Sequence, residues 1–385
     1  MSAHLADWHP YEPLADFFMS SAELGGGALL DVGIYCLGPI VEHVTGLGME
    51  FGLWVEPEMV NPDSDLYRNH PDWALVTEGY EPVLGRNQLV LDLGHPDAFA
   101  HILGQLDALL RDHDIAYVKW DMNRDTNYPG SAGRGAMHKQ TLAVYRLMEK
   151  LRDSHPALEI ESCSSGGGRA DFGILRYTDR FWTSDNNDAR QRQDIQRGAS
   201  WFFPLHIMGS HVGPKRCHVT GRRFTMEYRV ATAIFGHMGM ELDLRAEKDS
   251  DLEVLKAGIA LHKQHRDLIH GGKFVRLASP DNTNLIGCVA KTREEALYSF
   301  AVTDIEPKTL PDRIKLGGLD AARRYRIRLV WPHYNPSIST PSIVDSAELN
   351  GAGSVFSGAA LMQYGIQPPL TYPDTCLIYH LEAED

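Results

Sequence analysis

The sequence predicts an α/β protein: a (β/α)8 TIM-type barrel, with its first strand truncated or substituted, followed by an antiparallel β-sandwich domain. Short apolar runs recur along the first 270 residues, and runs of that length are typical of strands buried on both faces. Helical periods lie between several of them, as in repeated βα units. After about residue 270 the pattern changes to short alternating stretches punctuated by Gly, Pro, Asn and Asp, which indicate antiparallel β structure.

Seven apolar runs define the predicted barrel strands, and most of them end in polar residues. They lie at 51–59, 88–93, 116–121, 158–164, 180–185, 204–211 and 239–244. After Pro96, a favourable first-turn residue, a helix is predicted from apolar residues at Phe99, Ile102, Leu103, Leu106, Leu109 and Leu110. A second helix is predicted from Leu142, Tyr145, Met148 and Leu151. An eighth strand candidate, 28–35, precedes the seven runs.

Composition excludes several classes of protein. Charged residues make up 23% and hydrophobic residues 43% of the 385 residues, which suits a globular chain with a sizeable core. The net charge of −14 argues against binding to nucleic acid or to an anionic membrane, which requires a positively charged surface. The five cysteines are widely separated and form no CxxC pair, which argues against a disulfide framework and a structural zinc site. The N-terminus has no signal-peptide pattern, so we expect a cytoplasmic location.

Carboxylates gather where the predicted strands end. In a (β/α)8 barrel the active site lies at the C-terminal ends of the strands, and carboxylates from several strands would converge there beside Trp, Lys and Arg. Two carboxylates on opposite walls of one cup are what glycoside hydrolysis needs. From the pattern alone, two alternatives stay open: a metal-assisted lyase or isomerase on the same fold, and carboxylates that only stabilise the barrel. The His, Cys and Asp spacing fits no standard metal site.

Four segments resemble one enzyme family. FGLWVEPEMVNPDSDLYRNHPDW, KWDMNRD, ESCSSGGGRAD and FWTSDNNDA are similar to barrel motifs of the retaining α-galactosidases of glycoside hydrolase family 36, and they occur in order between about residues 47 and 245. The β domain resembles the C-terminal sandwich of that family. The resemblance implies hydrolysis of terminal α-galactosides through a covalent glycosyl-enzyme, without a metal or organic cofactor.

The resemblance also implies the catalytic residues. Asp121 in KWDMNR matches the nucleophile of the family, and Asp185, the first Asp of SDNNDA, matches the acid/base. A proton donor must carry its proton at the working pH, which we expect burial of Asp185 and the nearby charge of Asp121 to favour. Asp188 is the rival to Asp185, and its alternative interpretation is a helix N-terminal cap.

Substrate-binding roles follow from the same motifs. The resemblance implies that Lys119 and Asn123 bind sugar hydroxyls and that Trp54 forms an aromatic wall, the alternative being packing at the barrel rim. Arg86 resembles an arginine near the substrate, with a surface ion pair as its alternative. Cys163, Gly166 and Gly167 resemble a segment against the 2-hydroxyl of the sugar, where the thiol is a wall rather than a nucleophile. The remaining strand carboxylates, Glu56 and Glu58, are interpreted as buried structural hydrogen-bonding groups.

The N-terminal region departs from the family pattern. Family members carry a large sandwich before the barrel and a DDGWF-like motif after the first strand. Residues of about 9–37 instead resemble a substrate-side segment of oxidoreductases of the Gfo/Idh/MocA type, which implies no NAD site. Because a missing strand would expose two sheet edges, we expect 28–35 to close the barrel and to aim Asp31 at the sugar hydroxyls. The alternative is a tail on an open barrel.

The predicted organisation is an N-terminal segment at 1–45, the catalytic barrel at 46–270 and the β domain at 271–385. The predicted function is a retaining α-galactosidase acting on small oligosaccharides, with no nucleic-acid or membrane partner. The alternatives are an α-galactosyl transferase or α-N-acetylgalactosaminidase on the same fold, and an inactive sugar-binding remnant. The oligomeric state stays open, a homo-oligomer included.

Overall fold

The fold is given by a computed structural model, which describes residues 27–128, 130–306, 308, 311–338 and 352–384, with side chains from Leu37 onward. The described residues divide into two compact units, one up to Asp185 and the other from Asn186. The predicted domains 1–45, 46–270 and 271–385 stay predictions.

The first unit contains a parallel sheet that confirms four of the predicted barrel strands. Its strands are β1 (Gly52–Val55), β4 (Tyr117–Trp120), β7 (Glu159–Ser162) and β8 (Arg180–Trp182). They pair in that order, with Trp54 opposite Lys119, Lys119 opposite Glu161 and Glu161 opposite Arg180. Since all four strands run in one direction, the residues that follow them lie at one edge of the sheet.

Helices connect the parallel strands and supply the core. They are α1 (Gly27–Gly46), the short α2 (Asp65–Asn69), α3 (Pro96–Asp112) and α4 (Met137–Ser154). Helix α3 begins at the predicted Pro96 and buries most of the predicted apolar stripe. Helix α4 confirms the second predicted helix, but Leu142 is 52% exposed while Leu147 is fully buried, so its buried stripe is offset from the predicted one. No helix among the described residues is long and apolar enough to cross a membrane.

The run 88–93 is not a strand of the parallel sheet, contrary to our prediction. Its strand β3 (Leu89–Val90) pairs antiparallel with β2 (Met59–Val60). Between them lie only α2 and a single 3₁₀ turn at Pro71–Trp73. A parallel pair needs a crossover, usually a helix long enough to cover the sheet, and this connection has none. The two short antiparallel strands β5 (Gly130–Ser131) and β6 (Arg134–Gly135) follow β4.

The candidate strand 28–35 is helical, so the prediction of a closing strand there is wrong. The segment lies within α1, whose described apolar residues Leu37, Val41 and Val44 pack on the core. Spacings of four and three are those of a helix face, and a short apolar run does not distinguish a strand from a buried helix. The strand register that would aim Asp31 at the cup therefore does not exist, and the Asp31 side chain lies outside the described residues.

The second unit begins with helices around a parallel strand pair. Its helices are α5 (Ala189–Ala199), α6 (Met226–Ala233) and α7 (Asp249–Gly271). The strands β9 (Met208–Val212) and β10 (His237–Met240) pair in parallel, with Gly209 opposite His237. Strand β9 overlaps the predicted run 204–211, and β10 overlaps the predicted run 239–244. Strand β10 begins and ends closer to the N-terminus than predicted.

The predicted antiparallel β domain is confirmed. Its strands are β11 (Lys273–Leu277), β12 (Thr283–Val289), β13 (Glu295–Val302), β14 (Arg324–Trp331), β15 (Ser354–Ser357) and β16 (Thr375–Glu384). A short helix, α8 (Gly358–Gln363), follows β15. These strands form one sheet in the order β11–β12–β13–β16–β14–β15. The long central strand β16 pairs with both β13 and β14, which buries Leu377, Tyr379 and Leu381 on one face.

The two leucines of α4 give a matched test of this packing. Leu147→Ala should lower the free energy of unfolding by about 2–5 kcal/mol, because it removes buried apolar atoms and leaves a cavity. Leu142→Ala changes the same residue type on the exposed side of the same helix and should stay within about 0.5 kcal/mol of the parent. Urea unfolding followed by circular dichroism measures both. Equal losses in the two variants would contradict the helix orientation described here.

Candidate active site

The candidate site lies where the parallel strands of the first unit end. Glu56, Asp121 and Cys163 are the residues directly after β1, β4 and β7. The ladder continues one step beyond the strands, since the Asp121 amide donates to the Val55 carbonyl and the Cys163 amide to the Trp120 carbonyl. Asp121 and Cys163, both predicted for the site, are thereby fixed at one edge of the sheet by the backbone.

Asp121 is buried and its carboxylate is held by four N–H donors. Oδ2 accepts from Trp54 Nε1 at 3.0 Å and from Asn123 Nδ2 at 2.7 Å. Oδ1 accepts from the backbone amides of Met122 at 2.8 Å and Ser165 at 3.2 Å. A buried carboxylate needs such donors to replace water, and together they fix its orientation. Of the predicted site residues, Trp54 and Asn123 are thus brought directly onto Asp121.

Asn123 joins two carboxylates. Its Nδ2 donates to Asp121 Oδ2 and, at 2.6 Å, to Glu56 Oε1, which also accepts from the Asn123 backbone amide at 3.2 Å. The Ser165 hydroxyl donates to Asn123 Oδ1 at 3.3 Å. Through these contacts, Asn123 bridges the carboxylates of Glu56 and Asp121. Its predicted contact with a sugar hydroxyl stays a prediction.

Glu56 is completely buried, as the structural interpretation of this residue expected. Burial raises its pKa from the ordinary 4.5 to about 7, opposed by the charge of Arg86 and reinforced by that of Asp121. Arg86 Nη1 lies 3.4 Å from Glu56 Oε1, and Arg86 has a left-handed backbone with φ of 54°. Glu56 Oε2 is buried without a partner among the described residues. Arg86 thus forms an ion pair whose acidic partner is inside the protein rather than on its surface.

Glu58, in the turn between β1 and β2, is the second buried carboxylate, and its structural interpretation is also confirmed. Its Oε2 accepts from Arg169 Nη2 at 3.0 Å, and its Oε1 accepts from Trp120 Nε1 at 2.9 Å. The arginine lies at the end of the glycine-rich segment that follows β7. Glu58 therefore holds that segment against the sheet.

The ammonium of Lys119 faces two other residues of the sheet. Its Nζ lies 3.8 Å from Glu161 Oε1 and 5.0 Å from the centre of the Trp182 ring. Glu161 is buried and is paired on its other oxygen with Arg180 Nε at 3.3 Å. Glu161 has no role among the predictions from the sequence. It is an acidic residue within the predicted strand run 158–164, but its pairing with Lys119 follows from the register of β7 and β4.

The turn after β7 touches both candidate catalytic acids. Ser165, with φ of 47°, donates its amide to Asp121 Oδ1. Gly166 has φ of 81°, and a Cβ there would come 2.7 Å from the Asp185 amide nitrogen. A Cβ on Gly167 would come 2.4 Å from the Thr183 carbonyl oxygen. These glycines are required because backbone packs on backbone at this point. Their predicted contact with the sugar stays a prediction.

Cys163 interacts electrostatically with the same two acids. Its thiol is 1% exposed, and burial raises its pKa, with further increases from the charges of Asp121 and Asp185 and an opposing effect of Lys119. A thiol with a raised pKa stays protonated and is a poor nucleophile. This agrees with the predicted role of Cys163 as a wall.

The Asp185 carboxylate accepts a hydrogen bond from an indole. Its Oδ1 accepts from Trp182 Nε1 at 3.0 Å, and Trp182 itself is buried in the sheet. Asp185 is exposed, so the burial that we expected for this residue is absent. The reason is local, since Asp185 lies three residues beyond the end of β8 instead of directly after it.

Asp188, the rival to Asp185, is a helix cap. In the second unit its Oδ1 accepts from the amides of Arg190 at 3.1 Å and Gln191 at 3.0 Å, at the start of α5. Its Oδ2 lies 2.8 Å from Arg222 Nε and accepts from the Thr220 hydroxyl. The cap interpretation is confirmed, and every described contact of this carboxylate is structural.

A further polar cluster of the second unit was not found from the sequence. Glu241 Oε2 accepts from Asn187 Nδ2 at 2.8 Å and lies 3.2 Å from His211 Nδ1. Glu241 comes directly after β10 and could have been found as a residue following a strand.

Glu56 gives the site a testable pH dependence. A carboxyl with a pKa raised from 4.5 to about 7 binds a proton more tightly in the folded state, so stability falls as pH rises through that window. Relative to Glu56→Gln, which cannot titrate, the wild-type free energy of unfolding should fall by up to about 3 kcal/mol between pH 5 and pH 8. Urea unfolding at both pH values measures this. The exposed Glu253→Gln is the control, and a wild-type-to-E56Q difference that is equal at both pH values would show that Glu56 does not titrate there.

Comparison with known proteins supports this description. The melibiase family matches residues 11–272, and the glycosyl hydrolase family 36 C-terminal domain matches residues 284–381. An α-galactosidase of Escherichia coli is 43% identical over 359 residues, which are 89% of this chain and 49% of that protein. The crystal structure of the family 36 α-galactosidase AgaA of Geobacillus stearothermophilus superposes with a TM-score of 0.82 at 35% identity, covering 90% of this chain and 46% of AgaA.

A variant of AgaA crystallised in complex with raffinose matches with the same TM-score of 0.82. The chain spans about half the length of the relatives it matches. The TIM-type α/β fold predicted from the sequence is confirmed by these neighbours, together with the parallel sheet and the C-terminal antiparallel sheet. On the family match across most of its length, this chain belongs to the melibiase family of glycosyl hydrolases.

Proposed function

We propose that the chain hydrolyses terminal α-galactosyl residues of small oligosaccharides with retention of configuration. The observation that carries the proposal is the fixed carboxylate of Asp121 at the end of β4, with the Ser165–Gly166 turn connecting it to Asp185. The family match and the α-galactosidase relatives favour this reaction over other chemistry at paired carboxylates.

The proposed reaction has two displacements. In the first, a carboxylate oxygen of Asp121 attacks the anomeric carbon while Asp185 donates a proton to the departing glycosidic oxygen. In the second, Asp185 takes a proton from water, the water oxygen attacks the anomeric carbon, and Asp121 leaves as a carboxylate. The four N–H donors on Asp121 stabilise the charge that it carries before the first step and regains after the second.

The proposed substrates are small α-galactosyl oligosaccharides, and both the relatives and the side chains of the site support this class. Variants of AgaA have been crystallised with raffinose and with stachyose. In this chain we propose that Trp54 provides an apolar wall and that Lys119, Arg86 and Asn123 provide donors to hydroxyls, with Cys163, Gly166 and Gly167 along the 2-hydroxyl side. This assignment needs no metal or organic cofactor, because the two carboxylates perform the nucleophilic and proton-transfer roles.

A cytoplasmic location completes the proposal. The four described cysteines are all buried and free, which suits a reducing compartment. Fractionation of cells that express the protein tests the location, and recovery of the protein outside the cytoplasm would contradict it.

Asp121→Ala tests the nucleophile. Because no covalent intermediate can form, kcat for an aryl α-galactoside should fall at least about 1,000-fold while the thermal unfolding temperature stays within a few degrees. Asp125→Ala changes an exposed carboxylate of the same loop and should keep wild-type turnover. Near-wild-type turnover in D121A would contradict the assignment. A wild-type chain that binds galactose in calorimetry but cleaves no aryl α-galactoside would indicate a sugar-binding remnant.

Asp185→Ala tests the acid/base. Hydrolysis of substrates with poor leaving groups should fall far more than hydrolysis of activated aryl galactosides, because activated groups need less protonation. Azide should restore turnover of the activated substrates and yield an α-galactosyl azide, since the small anion attacks the β-linked glycosyl-enzyme from the opposite face without a base. Product analysis by NMR measures both effects. The same behaviour in Asp188→Ala, and not in D185A, would reverse the assignment.

A further inference from the structure

Two histidines and a glutamate meet in the second unit. His265 Nδ1 lies 3.0 Å from Glu295 Oε1, and His380 Nε2 lies 2.9 Å from the same oxygen. The ligand atoms of the three residues all lie within 4.8 Å of one another, and both imidazoles are buried. We propose that His265, Glu295 and His380 bind a divalent transition-metal ion of the zinc class. This site is independent of the proposed hydrolase function.

The backbone brings the three residues together from distant parts of the chain. In the register of β13 and β16, Glu295 lies opposite Glu382 and Leu297 opposite His380. Glu295 and His380 are therefore diagonal neighbours on one face of the sheet. His265 projects from α7, and it lies 30 residues from Glu295 along the sequence. Spacing alone could not reveal this group of ligands.

The geometry suits a small ion. Zinc binds imidazole nitrogen and carboxylate oxygen at about 2.0–2.2 Å, so two ligands of a tetrahedral ion lie roughly 3.4 Å apart. The observed separations of 3.0 and 2.9 Å between ring nitrogen and carboxylate oxygen are close to that value. Two imidazoles and one carboxylate form a three-ligand zinc set that leaves a fourth position to water. The Glu295 side chain is 39% exposed, which gives an ion a path from solvent.

The electrostatics of the cluster favour a cation. The described charged groups around the imidazoles are the carboxylates of Glu295 and Glu382 and the guanidinium of Arg328, which pairs with Glu382. With neutral imidazoles these groups sum to one negative charge. A divalent ion would offset this negative charge.

The chemistry of the ligands also gives selectivity. Imidazole suits Zn²⁺, Co²⁺, Ni²⁺ and Cu²⁺, whereas Ca²⁺ and Mg²⁺ prefer sites made entirely of oxygen. The ion would tie α7 to two strands of the antiparallel sheet, β13 and β16. We therefore expect a structural role, visible in stability and metal content rather than in turnover.

Metal titration of the full chain tests the proposal. After chelator treatment and dialysis, the wild type should bind one equivalent of Zn²⁺ in calorimetry, and Zn²⁺ but not Mg²⁺ should raise its thermal unfolding temperature. His265→Gln and His380→Gln should each weaken Zn²⁺ binding by roughly 100-fold or more, a loss at or above that caused by removing outer-shell partners of a metal. His262→Gln is the matched control, since His262 lies on the same helix with its Nδ1 3.0 Å from the Ile234 carbonyl oxygen.

A second measurement needs no variant. X-ray absorption of the zinc-loaded wild type should show two imidazole nitrogens and oxygen ligands around the ion. The proposal is overturned if the wild type binds no Zn²⁺ at 100-fold molar excess, if H262Q loses as much affinity as H380Q, or if absorption shows sulfur or only oxygen ligands. If H265Q and H380Q fail to fold, the absorption result alone decides.

Discussion

The structure of the first unit depends on how it compensates buried negative charge at the edge of its parallel sheet. Glu56 and Asp121 directly follow two neighbouring strands and Glu161 lies in the third, and all are at most 5% exposed. Burying an ionised carboxylate costs several kcal/mol unless donors or cations replace water. The three carboxylates are compensated by different partners. Glu56 contacts Arg86 and Asn123, and Asp121 accepts hydrogen bonds from four N–H groups. Glu161 forms ion pairs with Lys119 and Arg180. The positions of these donors, in turn, define the walls of the site.

Sharing of donors couples these groups to one another. The Asn123 amide serves both Glu56 and Asp121 from a single nitrogen, so the protonation of Glu56 alters the competition for that donor. When Glu56 is neutral, its hydrogen bond from the Asn123 amide weakens, and the hydrogen bond from that amide to Asp121 strengthens. The negative charges of Asp121 and Asp185 both raise the pKa of the buried Cys163 thiol. The polar groups of the site therefore act as one electrostatic unit rather than as separate pairs.

Much of this architecture could be predicted from sequence, and the failures have physical causes. Asp121 follows an apolar run, and Pro96 begins an amphipathic helix, because both patterns reflect local backbone preference. The run 28–35 was misassigned because a short apolar stretch fits a buried helix and a buried strand equally well. The donor at Ser165 is a backbone amide whose direction depends on a left-handed turn, and no side-chain pattern encodes it. The cluster of His265, Glu295 and His380 is brought together by strand register and helix packing, so its residues show no recognisable metal-ligand spacing in the sequence.

The turn at residues 165–167 has a consequence for stereochemistry. Ser165 binds Asp121 through its amide, while Gly166 packs on the backbone of Asp185, so main-chain atoms fix how far apart the two acids stand. In glycoside hydrolysis that separation decides whether water must attack directly or a glycosyl-enzyme can form. For the proposed reaction, the anomeric outcome is thus encoded in loop length and left-handed torsions. Side chains around the sugar are free to diversify for new substrates without converting a retaining enzyme into an inverting one.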